Sequence, residues 1–288
     1  MATEFPQYNE RPCQVCGKPY KEGSDTWWGY CPSCGYLEQF YNPLPAQADF
    51  HASPAKYRLY AGGFGSGKTL CGWKESIQLA LRYPNNFILV GAQTYPNLRD
   101  TTMRTFLEVV PHPVLKGGKL ERAFNKSENS LEFYNGSTVI FRSMDEPNKY
   151  KSLNLGAFYI DEVSEVAEEI WMMLESRLRR NNVPRRTGFG TTNPEGGSWV
   201  YTKFVQKKGQ KEQYAYFQAP TTENIYLPED YVQGLLDSYP ESWVKRYIYA
   251  DWSAFEGQIY PDFQPTFPYV IPHVEPNPEW PVYVGIDH

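Results

Sequence analysis

No stretch of the 288-residue chain runs to about eighteen apolar residues, so no segment is expected to cross a membrane. The first residues, Met1-Ala2-Thr3-Glu4-Phe5-Pro6, lack the basic-then-apolar order of a secretory leader. There is no excess of positive charge: 28 Lys and Arg stand against 33 Asp and Glu, a net charge of −5. General attraction to a polyanion is therefore excluded, and any surface for one must be local. No internal repeat is visible. Cysteine is scarce, five in all, yet four of the five fall into two close pairs. Apolar residues are not scarce. At 41% they support a sizeable core, with one large domain and an appendage as the natural organisation.

The paired cysteines are Cys13-x-x-Cys16 and Cys31-x-x-Cys34. Each knuckle can set two thiolates on one tetrahedral Zn²⁺, and Gly17 and Gly35 suit the tight turn that follows. Four protein ligands make a closed, structural site. The other reading, two disulfides, needs an oxidising compartment that nothing else in the chain supports. Residues 1–40 are therefore expected to form a zinc ribbon, too short to hold a core without metal. Cys71 reads as an ordinary core residue.

Gly62-Gly63-Phe64-Gly65-Ser66-Gly67-Lys68-Thr69 fits the phosphate-loop pattern G-x-x-x-x-G-K-[ST]. Glycines let successive N–H groups converge on one anion, Lys68 adds a point charge, and Thr69 offers a hydroxyl to Mg²⁺. The flanks agree. Tyr57–Tyr60 reads as a strand, and Thr69–Leu81 as a helix with Leu70, Trp73, Ile77 and Leu81 on one face. A nucleotide phosphate is expected on that helix N-terminus, with Gly62, Gly63, Gly65, Ser66, Gly67, Lys68 and Thr69 around it.

Farther on, Phe158-Tyr159-Ile160-Asp161-Glu162 is an apolar strand ending in two acids. Asp161 there can hold Mg²⁺, and Glu162 can polarise a water for attack on a γ-phosphate. Gly190-Thr191-Thr192-Asn193-Pro194 follows another strand candidate, and its hydroxyls and amide can sense that phosphate. Further strands are expected at Phe87–Gly91, at Leu131–Tyr134 and Ser137–Phe141 around the Asn135-Gly136 turn, and at Tyr214–Gln218. Helices are expected at Asp100–Val110, Glu165–Arg180, Glu229–Ser238 and Glu241–Tyr249. Residues 41–56, with three prolines, read as a connection. The pattern is α/β with a mostly parallel sheet flanked by helices, a P-loop NTPase; an acid pair of this kind belongs to the additional-strand, catalytic-glutamate class.

Between Trp171 and Ala215 nine basic residues (Arg177, Arg179, Arg180, Arg185, Arg186, Lys203, Lys207, Lys208, Lys211) face only Glu175, Glu195 and Glu212. A solvated face and a contact with nucleic-acid phosphates both fit such a run.

The ordered set Gly62–Thr69, Tyr159–Glu162 and Gly190–Pro194 resembles the large terminase subunit of tailed double-stranded DNA phages. So do Ala219–Asn224, Leu227-Pro228 with Tyr231, and Trp252 with Glu256–Tyr260. The resemblance covers about residues 41–288. It implies an ATPase that drives double-stranded DNA into a procapsid through a portal protein. It further implies a homo-oligomeric ring, a small terminase subunit as partner, and a place in the host cytoplasm, transiently docked on the procapsid. It divides the chain into an ATPase core (41–220), a lid or linker (221–260), and a proline-rich linker with the first strand of a nuclease domain (261–288). Asp287 matches that nuclease's first metal-binding carboxylate; with no later acids present, cutting activity is not expected. Gln47 resembles the family's adenine-reading glutamine. Lys151 stands where the arginine finger is expected, with Arg142 and Arg104 as alternatives; lysine lacks the planar fork. Two other classes stay open on residues alone: a zinc-ribbon helicase-like remodelling ATPase, and a non-catalytic nucleotide-binding adaptor.

Overall fold

The computed structural model describes residues 10–13, 18–21, 41–206 and 212–252. Cys16, Cys31, Cys34 and Asp287 lie outside these residues, as do Lys207, Lys208 and Lys211. Near the N-terminus, β1 (Glu10–Pro12) pairs antiparallel with β2 (Pro19–Lys21), and the Cys13 N–H donates to the Lys18 carbonyl at 3.0 Å.

The main body begins with α1 (Pro45–Ala52), in the stretch that reads as a connection in the sequence. Pro45 sits at the first helical position, where its missing N–H costs nothing, and Gln47 reaches back to cap the Leu44 N–H at 2.8 Å. Then come β3 (Tyr57–Gly62), α2 (Lys68–Arg82), β4 (Phe87–Ala92), α3 (Tyr95–Asn97), a π-helical turn (Leu98–Met103) and α4 (Arg104–Val109). The continuous helix expected over Asp100–Val110 is thus split between the π turn and α4. Next are α5 (Leu120–Ala123), β5 (Phe124–Asn125), β6 (Ser130–Glu132), β7 (Thr138–Ser143), β8 (Ala157–Ile160), α6 (Glu168–Arg177), β9 (Thr187–Thr192), β10 (Tyr214–Ala219), α7 (Glu229–Ser238) and α8 (Glu241–Tyr247). Helix α6 starts later than Glu165 because a 3-10 turn, Val163–Glu165, comes first. It ends early because Leu178 leaves helical geometry to bridge Leu155.

The eight-stranded sheet has the order β10-β3-β9-β8-β4-β7-β6-β5. Strands β10 through β7 are parallel; β6 pairs antiparallel with β7 through the expected Asn135-Gly136 hairpin, and β5 pairs antiparallel with β6. Strand β9 stands between β3 and β8, so the strand before the glycine loop and the strand before the acid pair are not neighbours.

Both faces of the parallel part are covered, which explains why its strands are apolar almost throughout. Tyr60, Ile88, Val90 and Tyr159 point to one face, under α1 and α2; Leu59, Leu89, Phe158 and Ile160 point to the other, under α6. Helix α2 is buried from Cys71 to Leu81 and forms the centre of the first layer. Trp171, fully buried on α6, packs edge-on against Phe158 at 4.9 Å and anchors the second. Among the described residues no helix is long and apolar enough to cross a membrane.

Candidate nucleotide site

The site lies at the carboxyl ends of β3, β8 and β9, where an open parallel sheet presents its loops to a ligand. Beyond β3 the chain makes the Gly63–Gly67 loop and enters α2 at Lys68. Gly67 has φ +76°, and a Cβ there would lie 2.7 Å from Gln47 Nε2. A Cβ on Gly63 would lie 2.6 Å and 2.7 Å from the Tyr247 and Ile248 carbonyls. The first intrahelical bond of α2 runs from the Cys71 N–H to the Gly67 carbonyl at 2.9 Å. The N–H groups of Lys68 and Thr69 therefore precede the helical ladder and point, with the helix dipole, into the loop. Ser66 Oγ is buried there without a protein partner. Such a cradle fits a phosphate anion.

Asp161 and Glu162 close the other side. Asp161, 4% exposed, accepts from three hydroxyls: Thr191 at 2.7 Å, Thr102 at 3.1 Å and Thr69 at 3.4 Å. Tyr159 OH lies 2.9 Å from Thr191 Oγ1, and since Thr191 gives its proton to Asp161, the phenol is the donor. A carboxylate aimed by hydroxyls beside the loop threonine fits Mg²⁺, a hard cation that takes few protein oxygens. Glu162 has φ +46°, the left-handed region that a non-glycine residue adopts at a cost of about 1–3 kcal/mol. That geometry turns its carboxylate toward the loop: Oε1 is 3.7 Å from Lys68 Nζ, and Oε2 accepts the Asn193 N–H at 3.4 Å. Burial pushes the Glu162 carboxyl up to about 7, against the pull of the Lys68 charge. Asn193 Oδ1 is buried and unpaired at the same place. A cleft of about 600 Å³ opens beside the acids, lined by Thr69, Trp73, Gln93, Thr102, Asp161 and Glu162 among others.

Gln47 is buried against the loop: its Nε2 donates to the Gly67 carbonyl at 3.0 Å. What holds α1 there is a buried charged bracket. Arg58 of β3 donates to Glu75 of α2 at 2.6 Å and to the Phe50 carbonyl at 2.9 Å, and His51 Nδ1 lies 2.6 Å from the other Glu75 oxygen. Burial alone raises a carboxyl, but Arg58 and His51 hold Glu75 well below the ordinary carboxylate range.

The segment after β10 forms the roof. The Asn224 side chain donates to the Gly65 carbonyl at 2.5 Å, Thr221 Oγ1 donates to the Phe64 carbonyl at 2.7 Å, and Tyr247 stacks on Phe64 at 4.7 Å.

The structure thus gathers Gly62–Thr69, Gln47, Asp161, Glu162 and Asn193 at one place. It does not bring the candidate fingers there within the chain. Arg142 donates to the Glu128 and Phe141 carbonyls, both at 2.7 Å, and Arg104 pairs with Glu108 on an exposed face. Lys151 is exposed, and its carbonyl is held by Arg177. Thr102 and the roof residue Tyr247 carry no motif that sequence reading could find. Among the described residues no group of three or more His, Cys, Asp or Glu converges on a metal position. Cys13 is buried, and its three expected zinc partners fall outside those residues.

Residues 54–250 match the family described as phage terminase large subunit. The chain belongs to that family. A curated member, the PBSX phage terminase large subunit of Bacillus subtilis (strain 168), is 30% identical over 200 residues. The match takes in 62% of this chain and 45% of that one, so this chain aligns with less than half of its relative. Among solved structures, the large terminase of a thermophilic bacteriophage, in complex with ADP, matches with a TM-score of 0.58 at 16% identity. That match covers 73% of this chain and 54% of that one. The ATPase domain of a Thermus phage large terminase matches with a TM-score of 0.57 at 17% identity, over 75% of this chain and 98% of that domain. These likenesses show the fold: a mixed α/β sheet of the terminase ATPase type.

Proposed function

We propose that this terminase chain is an ATP-hydrolysing motor that moves double-stranded DNA into a viral procapsid. The observation that carries the reading is the face-to-face placement of Lys68 and Glu162, 3.7 Å apart across the loop, beside a hydroxyl-clamped Asp161. The thermophilic-bacteriophage terminase structures in complex with ADP and with ATP-gamma-S favour nucleotide binding by this chain.

In this reading the loop amides and Lys68 bind the phosphates, with Gly62, Gly63, Gly65, Ser66 and Gly67 as the cradle. Gln47 borders the base side. Thr69 and Asp161 would hold Mg²⁺, which would neutralise charge on the phosphates. Glu162 accepts the proton of the attacking water, which its raised carboxyl suits. Lys68 stabilises the charge that develops on the transferred phosphoryl oxygens. Asn193, bonded to Glu162 through its backbone, couples the β9 loop to the loss of the γ-phosphate.

Cys13, Cys16, Cys31 and Cys34 would hold one structural Zn²⁺. Lys151, Arg142 or Arg104 would act on a neighbouring copy's site in a homo-oligomeric ring. The portal protein and a small terminase subunit are the expected partners, in the host cytoplasm at the procapsid. Residues 221–260 serve as the lid, and Asp287 belongs to a nuclease centre.

Glu162→Gln tests the reading. Nucleotide binding, followed with a fluorescent ATP analogue, should persist while hydrolysis falls by about 10²–10⁴-fold. Wild-type turnover in the variant would refute the assignment.

A further inference from the structure

A parallel sheet has two ends, and the nucleotide uses one. The chain enters β3, β4, β8 and β9 at the other through residues 53–56, 82–86, 151–156 and 177–186. These four stretches hold eight Lys or Arg and no Asp or Glu, in a chain whose net charge is −5. The four strands are adjacent in the sheet, in the order β3-β9-β8-β4. At about 4.8 Å per strand, their entry loops form an edge roughly 15 Å long.

The guanidiniums on this edge are fixed by the backbone. Arg179 donates to the Leu153 carbonyl at 3.5 Å, Arg180 to Asn85 at 2.7 Å, Arg186 to Val183 at 2.9 Å, and Arg177 to Lys151 at 2.5 Å. Each such tie engages one or two of five N–H donors, which orients the group and leaves further donors for a ligand. Among the described residues none of the four has a carboxylate partner. Carbonyl capping does not itself need charge. Asn182, in the same loop, caps the Pro84 and Asn85 carbonyls at 2.9 and 3.3 Å with a neutral amide. The surplus positive charge repels itself and calls for a counter-charge from outside.

We propose that this amino-terminal edge of the sheet is a docking surface for the phosphate backbone of a nucleic-acid duplex. The proposal rests on the motor reading and adds where the duplex is held. An acidic protein would be the other occupant, but these loops expose no large apolar side chain, and protein interfaces centre on such groups. Rigid guanidiniums, lysines and the amides of Asn85 and Asn182 are instead the groups that contact phosphates without reading bases. Lys203, part of the same basic run in sequence, does not join them: it turns to Glu168 at 3.1 Å and Glu175 at 3.8 Å.

The test uses the whole chain and a fluorescently labelled duplex of about 30 base pairs, with anisotropy read from about 50 to 200 mM KCl. Lys56→Gln with Arg179→Gln removes two exposed cations of the edge. The log–log salt slope should become shallower by about two, for duplexes of unrelated sequence alike. Lys56→Arg with Arg179→Lys should restore it. Lys126→Gln with Lys245→Gln, the same charge removed elsewhere, should leave it unchanged. Thermal melting of each variant separates a lost contact from a lost fold. An unchanged slope in the Lys56–Arg179 double variant overturns the proposal. So does an equal change in the control pair, or retained duplex binding alongside lost binding of poly-glutamate. ATP hydrolysis measured on the same samples keeps the two readings apart. Turnover with duplex binding indifferent to the double variant removes the surface and leaves the ATPase reading in place.

Discussion

Thr102→Val isolates a contribution to the site that no motif announces. Thr102 is 1% exposed and sits on the π-helical turn Leu98–Met103, an irregularity that often marks a functional position. Its side-chain hydroxyl donates to Asp161 Oδ2 at 3.1 Å, while Thr191 and Thr69 serve Oδ1. Valine fills nearly the same volume, so packing is preserved and the loss is the bond itself. A hydrogen bond to a buried charged group contributes about 1.5–3 kcal/mol, and the destabilisation should fall in that range by urea denaturation. The second effect concerns Mg²⁺. With Oδ2 unheld, Asp161 can rotate away from the orientation that serves the cation, and loss of such a supporting bond weakens metal affinity by roughly 10–100-fold. A titration of Mg²⁺ against binding of a fluorescent ATP analogue reads this without turnover. Thr102→Ser should recover most of both losses, since it restores the hydroxyl and gives up one methyl. A Val variant with a wild-type urea midpoint and wild-type Mg²⁺ half-saturation would refute the argument that Thr102 holds the carboxylate.

Glu75→Gln removes the acid from between Arg58 and His51 and leaves a buried guanidinium uncompensated; a loss of about 3–5 kcal/mol in chemical denaturation is expected. Because the folded-state value of Glu75 is depressed, its contribution is present above the ordinary carboxylate value near 4.5 and is lost as pH falls through the folded one. The wild type should therefore lose stability faster than Glu75→Gln on acidification; parallel pH curves would contradict this. Gly67→Ala forces a Cβ into the left-handed region 2.7 Å from Gln47 Nε2, and nucleotide affinity should drop while the melting temperature falls only modestly; unchanged affinity would remove the need for glycine there. Purified whole chain should carry about one zinc by elemental analysis, and a metal-free preparation whose first forty residues are nonetheless folded would exclude the ribbon.

Much of the fold is legible because local chemistry and tertiary structure agree in the central strands. Phe87–Ala92 and Ala157–Ile160 are apolar on both faces, as is Tyr57–Gly62 apart from the buried Arg58, and all three are covered on both faces. The glycine loop and the acid pair are legible because their chemistry demands rare residue patterns. Helix α1 is not, because three prolines disguise it; Pro45 is a helix start, and only the Gln47 cap shows it. The positive φ of Glu162 leaves no trace in sequence, since it comes from the turn between β8 and the 3-10 segment and not from residue type. Hydroxyl clamps such as Thr102 to Asp161 span 59 residues and have no period. The basic run shows the opposite failure. It is conspicuous in sequence, yet the structure splits it, sending Arg177–Arg186 to one edge of the sheet and Lys203 inward to two acids.

The roof of the site links the glycine loop and the β9 loop through consecutive residues of one helix. Arg246 donates from Nε to the Pro194 carbonyl at 2.7 Å, at the end of the Gly190–Pro194 stretch that carries Thr191 and Thr192. Tyr247 stacks on Phe64 of the glycine loop with the rings 9° from parallel, and its carbonyl accepts the Phe64 N–H at 2.6 Å. Thr221 ties the same helix end to the same loop: its N–H donates to the Ile248 carbonyl at 2.7 Å, and its hydroxyl donates to the Phe64 carbonyl. A helix is stiff over one residue, so Arg246 and Tyr247 cannot follow different partners. If the β9 loop shifts relative to the glycine loop, either the Arg246 bond or the Phe64 stack must break, or α8 must move as a body.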